Sequence, residues 1–267
     1  MSVDVKELGL TYYPITKTGS TSIKYALMTL AGKETLVGDL DNDVHRHMGT
    51  HYTDPLRLLR DGRAGRFTIV RDPLDRLLSA FSNRIGHFDI LRKSDGNALD
   101  RLGVAREPSL ENFVLDIEKY CAVSSDLRLH IASPRCFVGS SLLQFDHVFR
   151  FERLEEVAAF LSARSGKTVD IPRLQTGGVK YKPADLSPEA LAKALRFCRY
   201  DYAFLVHYYD PGKWGGIPAG NPGDASTLSA AGNFDASIGG ATVYPRTFRN
   251  LARFLSRRPL RESWVDY

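Results

Sequence analysis

Between Thr16 and Ser22, Lys17 and Gly19 stand among Thr16, Thr18, Ser20, Thr21 and Ser22. Side chains of these types, so close together, do one kind of chemistry well: they hold an oxyanion. Lys17 brings a full positive charge and the hydroxyls bring hydrogen-bond donors. Gly19 lets the backbone approach a ligand closely. Apolar residues at Ile23, Ala26, Leu27 and Leu30 predict a helix directly after this loop. Ser20, Thr21 or Ser22 is its expected cap. The N–H groups of the first turn then face the same anion, and the helix dipole favours negative charge there. Ahead of the loop, Leu8, Leu10, Tyr12 and Tyr13 predict a short strand that Pro14 ends. An ordinary capped helix after a turn has the same local pattern. The order here is lysine then glycine, and G-x-x-x-x-G-K-[ST] is absent. That disfavours a nucleoside triphosphatase but not a phosphate-like ligand.

A second group follows the next strand. Arg66 to Arg71 reads RFTIVR, a buried and parallel strand by its apolar run. Asp72-Pro73 ends it, with Pro73 suited to the first turn of a helix that turns Leu74, Leu77, Leu78 and Phe81 inward. Arg71 at the strand end and Ser79 inside the helix can converge on one anion, the guanidinium giving bidentate contact. Taken singly, Arg71 also suits an ion pair with Asp72 or Asp75, and Ser79 suits close packing against a sheet. His45, His47 and His51 lie near Asp39, Asp41 and Asp43. Their spacing lacks a helix-borne histidine pair with a positioned acid, so no metal is expected. The stretch from Gly32 to Thr53 reads as an irregular polar loop, either the rim of an active site or a solvated connection.

These groups need a scaffold, and the rest of the chain provides one. At 267 residues it can bury a full core. Its 43% hydrophobic and 25% charged content is that of a globular protein. A net charge of +5 fits an acidic ligand without indicating nucleic acid. Cys121, Cys136 and Cys198 show no metal-like pairing, and their sparseness predicts reduced thiols in a cytoplasm. The first residues, MSVDVKELG, are too polar for a signal peptide, and no apolar run is long enough for a membrane span. Short helices are expected at Leu56 to Leu59 and Ser109 to Tyr120, and an exposed, charged insertion from Arg92 to Glu107. Val148, Phe149 and Phe151 predict a further strand, and Glu152 to Leu161 a helix. A basic, glycine-bearing loop from Gln175 to Pro183 precedes a helix expected from Pro188 to Tyr202. Composition then shifts. Residues 1–210 read as the catalytic domain, 211–244 as a flexible Gly/Pro/Ser-rich linker, and 245–267 as a basic amphipathic helix and tail. In that helix Arg246, Arg249, Arg253 and Arg257 take one face, and Phe248, Leu251 and Leu255 another. Such a helix can dock on the catalytic domain or on a second copy, or touch an anionic membrane surface through residues 245–258.

Residues 12–28 and 66–81 together resemble the two cofactor-binding motifs of sulfotransferases. The likeness is closest to the carbohydrate group of the chondroitin, dermatan and HNK-1 type and its bacterial relatives. The loop pattern P-K-x-G-x-T/S-x-x-K/R stands here as Ile15-Thr16-Lys17-Thr18-Gly19-Ser20-Thr21-Ser22-Ile23-Lys24, with the proline displaced to Pro14. The pattern V-R-[DEN]-P-x-x-R-L-x-S-A-[FY] stands as Val70-Arg71-Asp72-Pro73-Leu74-Asp75-Arg76-Leu77-Leu78-Ser79-Ala80-Phe81. Weaker likeness continues through DLRLHIASP at 126–134, where Ile131 replaces the tryptophan after the histidine. It also includes FDHVFRFERL at 145–154, and DYAFLVHY at 201–208, which lacks the glycine of the family segment.

The resemblance implies an α/β fold, a parallel sheet flanked by helices of the P-loop nucleotide-kinase-like sulfotransferase type. It implies sulfuryl transfer from 3′-phosphoadenosine-5′-phosphosulfate to a hydroxyl acceptor, a carbohydrate or glycolipid, by in-line displacement and with no metal required. Lys17, Thr18, Gly19, Ser20, Thr21 and Ser22 would hold the 5′-phosphosulfate, and Arg71 and Ser79 the 3′-phosphate. Lys180, with Lys182 near it, would close over the cofactor from the 175–183 loop. Lys17 would stabilise the bridging oxygen, and His130 would be the general base, since imidazole titrates near neutrality. His45, His47 and His51 are the reserve bases. A lipid-linked acceptor would bring a cytoplasmic enzyme to the inner membrane face. Two other classes share these features: a nucleotide-dependent kinase, and a non-catalytic nucleotide-binding protein.

Overall fold

The structure, a computed structural model, describes residues 2–33, 40–50, 65–94, 96–175 and 177–216. Along the chain run β1 (Val3–Val5), β2 (Leu10–Tyr13), α1 (Ser20–Leu30), α2 (Leu40–His47), β3 (Arg66–Val70) and α3 (Pro73–Ala80). There follow α4 (Gly96–Leu102), α5 (Leu110–Leu115), α6 (Ile117–Val123), α7 (Ser125–Ile131) and α8 (Arg135–Val138). Then come β4 (His147–Arg150), α9 (Leu154–Ser165), α10 (Pro188–Phe197) and α11 (Arg199–Phe204). The described residues fall into two compact units, one built from residues up to Arg71 with Pro134–Gly177, the other from Asp72–Ser133 with the chain from Gly178 on.

The first unit holds the sheet, in the order β1-β2-β3-β4. β2 and β3 run parallel with Tyr12 beside Phe67, and β3 and β4 run parallel with Ile69 beside Phe149. Every residue of β3 is buried, as its unbroken apolar run predicts for a central strand covered on both faces. Its core joins Leu10, Tyr12, Phe67 and Ile69 to Ile23, Leu27 and Met28 of α1 and to Val157 and Leu161 of α9. The expected α/β architecture is therefore present. It has one addition, β1, paired antiparallel to β2 at the edge. Only Val3 and Val5 turn inward while Asp4 faces out and accepts a 2.9 Å bond from Thr11, so the alternation is too short to stand out in sequence.

The second unit is helical. The predicted helix over 109–120 is two helices, α5 and α6, that meet at Asp116, and the one predicted over 188–202 breaks at Cys198 between α10 and α11. The charged stretch 92–107 is less exposed than expected, because it contains α4 with Leu99 fully buried. Its charges pair at the surface, Arg92 with Asp89 and Glu107, and Arg106 with Asp100. Pro211–Trp214, at the start of the predicted linker, forms a 3-10 turn capped by Asp210. Residues 217–267, with the rest of that linker and the basic helix, lie outside the described residues, as do His51, Asp39 and the helix expected at 56–59. No helix among the described residues is long and apolar enough to cross a membrane.

Candidate active site

The loop after β2 is built around two left-handed residues, Lys17 at φ 64° and Gly19 at φ 75°. A lysine in that region is strained, and such strain persists only where neighbours hold it. Thr18 between them is fully buried and donates its hydroxyl hydrogen bond to the Ile15 carbonyl at 2.9 Å. This fastens the loop so that Lys17 stays half-buried at its turn.

α1 starts from Gly19, which makes no side-chain capping bond, and not from a hydroxyl cap at residues 20–22 as its sequence predicts. The reason is where those hydroxyls go. Thr21 Oγ1 lies 3.1 Å from His45 Nε2 of α2, and Ser22 Oγ accepts the Leu174 N–H at 3.1 Å. The first intrahelical bond runs from the Ile23 N–H to the Gly19 carbonyl at 3.1 Å. The N–H groups ahead of it are those that an anion takes at a helix start. The region from Gly32 to Thr53, expected to be irregular, contains α2, and His45 reaches back from it to α1.

Arg71 follows β3 directly. Its Nη1 donates to the Lys17 carbonyl at 3.1 Å, and its guanidinium lies 4.5 Å from the centre of the Phe151 ring. The same ring backs Gly19, where a Cβ would come within 3.0 Å of it. Phe151 thus touches both Gly19 and Arg71. The sequence marks it only as a strand residue, yet it opens the 3-10 turn Phe151–Arg153 after β4. The only hint was its place before Glu152 in the weakly matched FERL segment. Lys24, which closes the loop motif, is the other missed residue: it is 2% exposed in α1.

Ser79, His130 and Lys180 belong to the helical unit. Ser79 is half-buried on α3. The cap of α3 is Asp72, whose carboxylate accepts from the N–H of Leu74 at 3.0 Å and of Asp75 at 3.2 Å. It also accepts from the Tyr202 hydroxyl at 2.9 Å and pairs with Lys213 at 2.9 Å. Arg76, one turn on, donates to the carbonyls of Ile131 and Ala132 and pairs with Asp201 at 3.3 Å. It therefore fixes the end of α7, the helix that carries His130.

His130 Nδ1 lies 2.8 Å from the Asp126 carbonyl and 3.3 Å from its carboxylate. Arg84 grips the same carboxylate through two bonds of 2.6 Å. Burial lowers the His130 pKa below its ordinary value, against the pull of Asp126, so the ring is neutral near pH 7. Burial raises the Asp126 carboxyl, but its bonds to His130 and Arg84 outweigh this and hold it below the usual carboxylate range. In the neutral ring, donation from Nδ1 to the Asp126 carbonyl puts the lone pair on Nε2, the form a general base needs. Lys180 is exposed, while its neighbours are anchored: Ser82 donates to the Val179 carbonyl, and Tyr181 packs edge-on against Phe81.

Residues 3–204 match the Sulfotransferase family. Human carbohydrate sulfotransferase 8 is 27% identical over 190 residues, 61% of this chain and 43% of that protein. Its mouse counterpart is 28% identical over 173 residues, 56% of this chain and 39% of the relative. The matched stretch thus spans less than half the length of these curated relatives. No solved structure matches. A strand–loop–helix anion cradle, an arginine tied to it from the next strand, and a match running through both motifs and most of the chain lead to one conclusion: the chain belongs to the Sulfotransferase family.

Proposed function

We propose that this protein moves a sulfuryl group from 3′-phosphoadenosine-5′-phosphosulfate to a hydroxyl of a glycan or glycolipid by in-line displacement. The observation that supports the reading is the bond from Arg71 to the Lys17 carbonyl, which holds the arginine beside the Lys17–Gly19 loop in one unit. A donor with anions at both ends of a ribose needs such a pair of anchors. The glycan acceptor follows from the named relatives, both carbohydrate sulfotransferases.

The donor, when bound, supplies a sulfuryl group already activated by its phosphate leaving group. Residues Thr18 to Ser22 hold the 5′ end, chiefly through the backbone N–H groups of the uncapped helix start, because Thr18, Thr21 and Ser22 have hydroxyl partners within the protein. Arg71 and Ser79 hold the 3′-phosphate, and Lys180 closes over it. Lys17, held at a strained turn, places its charge where negative charge grows on the bridging oxygen. That is stabilisation by a preorganised group, the physics of phosphoryl transfer. His130 takes the acceptor proton at Nε2, with Asp126 holding the opposite nitrogen.

Thermal unfolding with adenosine 3′,5′-bisphosphate tests the donor. A hundredfold excess over its dissociation constant should stabilise the protein by about 2.7 kcal/mol. Adenosine 5′-monophosphate at the same concentration should do much less. Equal shifts would remove the roles given to Arg71 and Ser79. Transfer is read as sulfate gained by a glycan panel in mass spectrometry. The base has its own test: His130→Ala should lower turnover by roughly 10²–10⁴. A near-normal rate would move the role to a histidine of the 45–51 loop or to a water.

A further inference from the structure

His130 rides on α7, and two arginines from one stretch of chain hold α7 at its two ends. At the C-terminal end Arg76 of α3 donates to the carbonyls of His130 at 3.3 Å, Ile131 at 3.1 Å and Ala132 at 2.6 Å. At the N-terminal end Arg84 meets the carboxylate of Asp126, in the first turn of α7, as a fork: Nε donates to Oδ1 and Nη2 to Oδ2. Residues eight apart in an α-helix stand about 80° away from a common face. Here the chain does not continue as an α-helix. Phe81–His87 winds as a π-helix, with the Phe88 N–H reaching back to the Asn83 carbonyl at 3.0 Å. That wider winding turns the chain less per residue, and so carries Arg84 back toward the side of Arg76. Such a turn is rare and recurs where it places a working side chain. The Arg84 guanidinium also lies 4.8 Å from the centre of the Phe88 ring, which limits its motion.

We propose that Arg84 is a positioning residue for proton transfer: its fork holds Asp126 and offsets that carboxylate's charge, so that His130 keeps its orientation and its neutral form. This rests on the reading of His130 as the base. It names a residue that lies outside both donor-binding motifs.

The charge gives the proposal a signature. A carboxylate 3.3 Å from Nδ1 favours the imidazolium. Arg84 sets a fixed positive charge on the same carboxylate, since a guanidinium keeps its proton at any working pH. Burial lowers the His130 pKa most, the bond to Asp126 raises it, and the charge of Arg84 lowers it. Asp126 on its own helix and Arg84 are the charged groups that face the ring. On the elements packed against α7, Arg76 of α3 pairs with Asp201, Glu118 of α6 with Lys193, and Lys119 of α6 with Asp116. A base works only while it is neutral. Removing the Arg84 charge therefore raises the His130 pKa, and the acid limb of the rate profile moves up in pH with it.

NMR titration of the His130 ring, assigned by its loss in His130→Ala, and the pH profile of kcat/KM test this on wild type, Arg84→Met and Arg84→Lys. The Met variant should raise the His130 pKa and the acid limb together by about one pH unit, the scale of one nearby charge. The Lys variant keeps the charge without the fork and should return both toward wild type. In an Asp126→Asn background, Arg84→Met should move both far less, because the effect passes through the carboxylate. An equal shift there means that the arginine acts on the ring directly, and overturns the positioning role. If the Met variant does not fold, Arg84→Gln, which keeps a donor without the charge, should give the same rise. An arginine that only supports the fold would lower the rate at every pH and leave the limb in place. A His130 pKa that stays put in the uncharged variants overturns this inference alone. A His130→Ala rate near that of wild type overturns the base reading and this inference with it.

Discussion

The helices α1 and α3 each follow a sheet strand and a turn, and they treat their first N–H groups in opposite ways. α1 begins at a left-handed glycine that offers no side-chain acceptor. α3 begins at Asp72, whose own carboxylate accepts the N–H groups of Leu74 and Asp75. A helix start satisfied by its own carboxylate is a poor anion site, because the carboxylate occupies the donors and repels a second negative charge. A helix start without that cap presents the donors to a ligand. On the proposed reading the contrast divides the work: α1 would bind through its backbone N–H groups, whereas Arg71, which stands before the Asp72 cap, would bind through its side chain. It also explains why the two motifs look so different in sequence although both are strand–turn–helix units. One must keep a glycine where most helices put a hydroxyl or an acid, and the other must keep the acid.

The largest effect expected from breaking this contrast is at Asp72. Asp72→Ala removes the acceptor for two backbone N–H groups and for the Tyr202 hydroxyl, and releases Lys213. Buried donors left without partners cost about 1–3 kcal/mol each, and they do not add fully, so a loss of about 3 kcal/mol in unfolding free energy is expected. Denaturant unfolding measures it. Bisphosphate affinity of the folded variant should stay within about threefold of wild type, since on this reading the cap serves the fold and not the ligand. An affinity that falls as far as the stability would mean that Asp72 organises Arg71, and that the two junctions act as one.

The parts of the site that were legible in the sequence are those set by local chemistry. The loop around Lys17 and Gly19, the strand at 66–70, and the proline-opened helix with Arg71 ahead of it all follow from residue types within a few positions. Gly19 as the true helix start was not legible, because Ser20, Thr21 and Ser22 are all good caps. What removes them is tertiary: His45, 24 residues away, and Leu174, 152 residues away, take two of those hydroxyls. Phe151 was hidden for the same reason, since its importance lies in touching Gly19 and Arg71 and not in its own stretch of chain. Lys24 stands in the sequence only as the basic residue that closes the loop motif; its burial in α1 was not legible, since lysine is a residue type seldom buried. The helix breaks at Asp116 and Cys198 interrupt apolar patterns that continue through them, so periodicity alone joins what the backbone divides.

The smaller effect lies at Gly19, on the ligand-facing side of the contrast. An L-residue in the left-handed region costs roughly 1–2 kcal/mol, so Gly19→Ala should lower unfolding free energy by about that much. The backbone penalty is not the whole consequence. The new methyl would stand 3.0 Å from the Phe151 ring, tighter than ordinary contact, and that ring also backs Arg71 at 4.5 Å. A displaced ring shifts the arginine as well as the loop. The Ala variant should therefore lose preference for adenosine 3′,5′-bisphosphate over adenosine 5′-monophosphate, which backbone strain at residue 19 alone would not change. A double-mutant cycle with Phe151→Leu separates the two causes. If the ring transmits the effect, Gly19→Ala should cost less in the Leu background, with a coupling of about 0.5 kcal/mol or more in bisphosphate binding. If the substitutions add without coupling, the glycine is required by its backbone angle alone, and Phe151 does not join the two anchors.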